Sequence, residues 1–241
     1  MRSIRNPLVR LFAAPAMALF LLANTIGDRA EALMEEGKEA EAFELVRQGA
    51  ADGDAEAINY LAWFYDNGRY VETDRARAAE LYRQAAAEGV AYAQWRLGVM
   101  IDTGETNGTP EEAFALFEKS AAQDFTNAMT SLAVMHATGR GTKRDPIAAR
   151  YYYSMAAAAG NPHGIRGLGI LYLHGEGVDR DPIEAAAYFL ISASLGNEQG
   201  KESFDVVTRD YDEATLEQVA ERANELVEEL GYKFEQEPVA E

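Results

Sequence analysis

One pattern recurs four times along the 241 residues of this chain, about every 36 positions, and it restricts the fold more than any other feature. Each unit opens on a small residue, Ala57, Ala93, Ala128 and Gly164, and the series runs on to Gly200 at spacings of 36, 35, 36 and 36. Four positions later stand Leu61, Leu97, Leu132 and Leu168, each followed by a small residue, and seven further on stand Gly68, Gly104, Gly139 and Gly175. A small pair (Ala85-Ala86, Ser120-Ala121, Ala156-Ala157, Ser192-Ala193) precedes the close of each unit at Gly89, Asp124, Gly160 and Gly196. A fixed period of this length marks a stacked repeat architecture, because one unit alone cannot bury its apolar face.

Two helices alternate within the period. Ala93, Leu97, Gly98, Met100 and Ile101 keep the rhythm of a helix with one buried stripe. Glycine then ends that helix, since the left-handed backbone of a C-terminal cap costs glycine nothing. The second helix opens with Asp145-Pro146 or Asp181-Pro182, an acceptor at the N-cap and proline at the first helical position; Thr109-Pro110 repeats the arrangement, with Glu112 completing a capping box. Second-helix cores read Leu81-Tyr82, Leu116-Phe117, Tyr152-Tyr153 and Tyr188-Phe189. The pattern predicts helices near 54–67, 74–88, 90–103, 110–123, 126–138, 145–159, 161–174, 181–195 and 197–207.

Both ends look like caps. Residues 24–53 form a degenerate leading unit broken at Gly37, with Phe43, Leu45, Val46 and Ala50 on its second helix. Within 209–232, a helix over 213–230 buries the stripe Leu216, Val219, Ala220, Ala223, Leu226, Val227 and Leu230 and turns Glu217, Glu221, Arg222, Glu225 and Glu228 outward, with Asp212 or Thr215 as its N-cap. A polar outer face on the last helix stops further stacking. An acidic, disordered tail is expected over 233–241.

Residues 1–23 differ in kind. Arg2, Arg5 and Arg10 lead into an acid-free apolar run from Leu11 to Ala23 that contains Pro15. As a helix the run reaches about 20 Å, short of the roughly 30 Å hydrocarbon core of a bilayer. The pattern reads as a secretory signal peptide cleaved after Ala23, with Leu21 an untypical −3 residue; an uncleaved signal anchor and an organellar transit peptide are the alternatives.

The formal net charge is −18, which repels nucleic acid and anionic lipid; the basic loop of Arg140, Lys143 and Arg144 is too small to reverse that. Cysteine is absent, which removes disulfide staples, thiolate zinc sites and a cysteine nucleophile. His163 and His174 lie eleven residues apart, about 16 Å along a helix, too far to share a metal, and His136 sits at a core position. Ser131, Ser154, Ser192 and Ser194 fall inside predicted helices without the strand-to-helix elbow of a hydrolase, and Gly164-x-x-Gly167-x-Gly169 follows no strand, so it reads as a close helix contact. No catalytic residue, metal or cofactor is expected.

The strings Ala93-Gln94-Trp95-Arg96-Leu97-Gly98-Val99-Met100 and Gly175-Glu176-Gly177-Val178-Asp179-Arg180-Asp181-Pro182 resemble Sel-one-like repeats (SLR), relatives of the tetratricopeptide repeat. The resemblance covers about residues 31–208, with units at 54–89, 90–124, 125–160 and 161–196 and a trailing helix. The second unit departs from it by a missing loop residue and by Asp124 in place of glycine, the third by His136 where an aromatic is usual. The resemblance implies an all-α, right-handed superhelical α/α solenoid in which Leu61, Leu97, Leu132, Leu168, the four loop glycines, Asp145 and Asp181 are structural. It implies an adaptor of the bacterial cell envelope that binds an extended or helical segment of another protein along a concave face lined by each unit's first helix, and the acidic charge favours a basic segment by steering. Residues that vary between units there are Ile58, Asn59, Tyr60 and Trp63; Gln94, Trp95 and Arg96; Met129, Thr130 and Ser131; and Ile165, Arg166 and Gly167. Tyr60, Trp63, Trp95, Arg96, Thr130 and Arg166 are the candidate contacts, aromatics and arginine being the residues that dominate interfaces. Two other classes remain open: a periplasmic hydrolase or cell-wall-saccharide-binding protein, and a structural subunit held at the membrane through residues 1–23.

Overall fold

The computed structural model describes residues 25–231, so the expectations for the leader and the acidic tail lie outside the described residues. The chain divides into two compact units between Lys143 and Arg144. The described part of the first holds α1 (Ile26–Glu35), α2 (Glu39–Ala51), α3 (Ala55–Asn67), α4 (Arg75–Ala87), α5 (Ala91–Asp102), α6 (Pro110–Ala121) and α7 (Thr126–Thr138). That of the second holds α8 (Pro146–Ala158), α9 (Pro162–His174), α10 (Pro182–Ser194), α11 (Glu198–Val207) and α12 (Glu213–Glu229). The fold is all-α, as the period requires, and among the described residues no helix is long and apolar enough to cross a membrane.

Helix starts follow the capping chemistry. Asp145 Oδ1 accepts from the N–H groups of Ile147 and Ala148, both at 3.0 Å, and Asp181 Oδ1 from those of Ile183 (2.9 Å) and Glu184 (3.0 Å), each ahead of a proline with no N–H to satisfy. At α6 only half of the expected box forms: Thr109 Oγ1 accepts from Glu112 N–H at 3.3 Å. The full reciprocal box occurs at the start of α1, between Thr25 and Asp28. Asp212 caps α12, accepting from the Thr215 N–H at 2.9 Å and its hydroxyl at 2.6 Å. Asp124, in place of the usual closing glycine, is held at φ +60.

Each repeat buries a ring in its own core. Tyr82, Phe117, Tyr153 and Phe189 occupy equivalent positions and all are buried. The small residue after each repeat leucine makes room for them: a Cβ on Gly98 would fall 2.6 Å from the Phe117 ring, and one on Gly169 would fall 2.6 Å from that of Phe189. Each buried ring contributes about 2–3 kcal/mol of burial free energy. The glycine-dense stretch of α9 is therefore packing, since Gly164 lies against Ala156 and Gly167 against the Tyr153 ring. His136, expected in the core, is half-buried and stands edge-on to the equally half-buried Phe114 with centroids 5.3 Å apart.

Two expectations for α12 are corrected. Ala220 is exposed, and Arg222 turns inward, its Nε at 2.5 Å from Glu184 Oε2, because Glu184 on α10 is buried and needs a counter-charge. The Tyr151-Tyr152-Tyr153 run spans the surface: Tyr153 is core while Tyr151 is 60% exposed.

Candidate functional site

The first helices of the repeats carry the variable positions, and the structure sorts them into two groups. Ile58, Asn59, Gln94, Met129, Ile165 and Gly167 are buried, which corrects their placement on an open surface: Gly167 lies against the Tyr153 ring of α8 and Gln94 Nε2 donates to the Ala86 carbonyl of α4 at 3.2 Å. Tyr60, Trp63, Trp95, Arg96 and Thr130 in the first unit, and Arg166 in the second, are half-buried.

Several of these half-buried side chains are occupied by stacking. Trp95 Nε1 donates to Ser131 Oγ at 3.2 Å, one repeat along, and Arg166 Nε donates to Ser203 Oγ at 3.3 Å in the equivalent geometry. Each serine passes its own proton to a carbonyl of its helix, Ser131 to Asn127 and Ser203 to Gln199. A ladder thus runs from the residue two places after the opening small residue to the residue three places after it in the next unit. Thr130 holds the donor position of the third unit, but its counterpart in the fourth is Gly167, which has no side chain, and its hydroxyl donates to the Thr126 carbonyl at 3.1 Å.

At the first repeat boundary the ladder is broken. The ladder partner expected for Asn59 is Arg96, and Arg96 turns to Asp66 on α3, with Nε–Oδ2 at 2.6 Å and Nη2–Oδ1 at 2.9 Å, then reaches Glu105 at 3.3 Å. The two-point contact with Asp66 holds the guanidinium well above its usual range. Arg96 thus locks the first repeat to the second. Asn59, 7% exposed, is left with its Oδ1 buried and accepting no hydrogen bond.

Asn59 lines a cleft of about 400 Å³ with Glu31 and Met34 of α1, Tyr60 and Trp63 of α3, and Tyr92 of α5. The Tyr60 hydroxyl donates to Glu31 Oε1, and burial together with that bond pushes the phenol far above its usual range. A second hollow shares Glu31, Asn59, Tyr60 and Tyr92 and adds the carboxylates of Asp28, Glu56 and Glu88. Tyr92 and Phe125 also line it, and both rings meet Trp95, the three centroids lying 5.5–6.1 Å apart. Among the described residues, neither hollow has a lysine or arginine in its lining. Tyr60 and Trp63 of the sequence-based candidates meet here; Trp95 and Arg96 brace the neighbourhood, Thr130 lines neither hollow, and Arg166 belongs to the second unit.

Glu31, Met34, Asp66 and Tyr92 were not among the expected contacts. Glu31 and Met34 lie in the degenerate leading unit, where the period offers no register to compare, and the Asp66–Arg96 pair is long-range in sequence. Among the described residues no group of three or more histidines, aspartates or glutamates is placed to hold a metal.

The family model described as Sel1 repeat matches residues 55–90, 91–125, 126–161 and 162–197. Among solved structures, a protective antigen of uropathogenic Escherichia coli that displays an SLR fold superposes with a TM-score of 0.74 at 24% identity, covering 90% of this chain and 50% of that one. A Sel1 repeat protein from Oxalobacter formigenes follows at 0.68 and 21% identity, covering 87% and 93%. An immunity protein from Pseudomonas aeruginosa superposes at 0.52 and 20% identity, covering 86% and 85%. These likenesses concern the fold alone, and this chain spans half the length of the Escherichia coli protein. No curated protein matches the chain.

Proposed function

The chain belongs to the Sel1 repeat family, and we propose that it is a non-enzymatic interaction scaffold of the bacterial cell envelope whose first unit receives a segment of a partner protein in the cleft between α1, α3 and α5. Sel1 repeat proteins generally act as protein-interaction scaffolds, and this chain offers one place suited to that work. The observation that carries the reading is Asn59. A buried amide oxygen without a donor costs the fold about 1–3 kcal/mol, and here it stands in a cleft with two tyrosines, a tryptophan and a carboxylate. Aromatic side chains beside a few polar groups are what an interface hot spot needs.

The envelope location rests on the pattern of residues 1–23, a basic start and a short apolar run ending at Ala23. The N-terminal sequence of the protein isolated from its own source tests that part: a start at Asn24 supports export, and an intact Met1 counts against a cleaved leader.

The docking reading is tested by blocking the cleft without altering its charge. Met34→Trp fills it from α1. Affinity capture from envelope extract is expected to enrich a partner with the parent chain and to lose it with Met34→Trp, at unchanged helical content. A partner retained by Met34→Trp contradicts docking in the cleft.

A further inference from the structure

The chemistry of the cleft narrows what enters it. This step rests on the docking reading above and names the group recognised. Four carboxylates, those of Asp28, Glu31, Glu56 and Glu88, line the two adjoining hollows, and among the described residues no cationic side chain does. Arg96 of α5 is held by Asp66 and Glu105. Glu31 Oε1 receives the Tyr60 hydroxyl, which leaves Glu31 Oε2 outside that bond. Tyr60, Trp63 and Tyr92 supply rings on the same walls. Carboxylate and ring quadrupole attract the same charge, and both act more strongly where water is partly excluded.

Asn59 supplies an independent observation. It is more than nine-tenths buried, its Oδ1 has no donor, and it lines both hollows. Its fold-side partner is missing for a visible reason, the turn of Arg96 toward Asp66. The amide is a broad two-fold rotor about its last torsion, so its oxygen can turn toward a donor that enters the cleft. What completes the site is therefore a cation that also donates hydrogen bonds.

We propose that the cleft between α1, α3 and α5 holds a basic side chain of an extended partner segment, arginine ahead of lysine, set among Tyr60, Trp63 and Tyr92, with Glu31 opposing its charge and Asn59 accepting one of its N–H groups. Arginine is preferred because its planar, weakly hydrated guanidinium stacks on rings and offers several N–H donors at once. A cleft of about 400 Å³ also exceeds what one side chain fills, which admits the flanking backbone of the segment. Glu31 and Met34 precede the first matched repeat, so the cage combines the leading helix with the repeats proper.

The test uses the full chain and two blocked pentapeptides, one with arginine between pairs of glycines and one with citrulline, its neutral isostere. Binding is followed by heteronuclear NMR at the Trp63 indole and the Asn59 side-chain amide. The arginine peptide is expected to give a saturable shift at both signals, and the citrulline peptide to bind about tenfold more weakly or worse. Glu31→Gln weakens the arginine peptide about fivefold and leaves the citrulline peptide unchanged. Asn59→Leu weakens it about threefold or more while the melting temperature holds or rises, which a merely structural asparagine would not do. Equal binding of the two peptides overturns the cation assignment, as does the absence of any saturable shift up to about 10 mM peptide. In either case the loss of a captured partner in Met34→Trp would still stand for the docking reading, so the two claims fail separately.

Discussion

At the residue scale the molecule separates side chains that stack repeats from those that stacking leaves unused. Arg96 is in the first group. Its side chain is 15% exposed and that of Asp66 is 5%, so Arg96→Met strands a buried carboxylate and is expected to cost about 2–4 kcal/mol. Thermal unfolding checks this, and the double variant Asp66→Asn/Arg96→Met should recover part of the loss. The alternation of Tyr60 and Arg96 at one repeat position was legible in the sequence, yet it made them look alike. Only the fold shows that the arginine is turned inward to the preceding repeat while the tyrosine reaches the leading helix. Asp124 is a second residue-scale case. It holds φ +60, where glycine is at ease, and the equivalent Gly89, Gly160 and Gly196 have open space beside them. Asp124→Gly is therefore expected to stabilise the chain by about 0.5–1 kcal/mol, read as a small rise in melting temperature.

The helix is the next scale, and there periodicity served well because each helix answers to local chemistry. The prolines of α8 and α10, the caps at Asp145 and Asp181, and the glycine stops put the helix ends within two residues of expectation. The last helix was read less well. A periodic stripe predicts which face is apolar, yet it carries no information about a charge waiting on the neighbouring helix. Glu184, 8% exposed on α10, draws Arg222 of α12 inward, and Arg222 also meets Glu225 and Glu229, each at 2.8 Å. Those hydrogen bonds, Glu184's first, hold the guanidinium above its usual range. Arg222→Ala should release α12 before the rest of its unit: amide exchange along Glu213–Glu229 rises, while exchange in α9 and α10 changes little. Uniform acceleration through all five helices of the unit would show that α12 is no separate latch.

The repeat period made the all-α architecture of the whole molecule legible, whereas the cleft could not be read, since it combines a helix outside the period with an exception inside it. The buried tyrosines also give the chain a pH limit. Burial raises the phenols of Tyr82, Tyr153 and Tyr188, that of Tyr153 to about 12. A group whose folded pKa lies above its unfolded one contributes stability that is complete below the unfolded value near 10 and disappears as pH rises through the folded value. Thermal stability should accordingly decline above about pH 10, and phenolate absorbance of these rings should appear together with loss of helix. The central claim is that a partner polypeptide lands on the part of the first unit that stacking leaves unused. A photo-crosslinking amino acid at Met34, compared with one at the exposed Tyr151, tests it most directly in cells of the source organism. The account predicts a protein adduct from position 34 whose linked peptide contains arginine or lysine; an adduct from position 151 alone, or from neither, would contradict it.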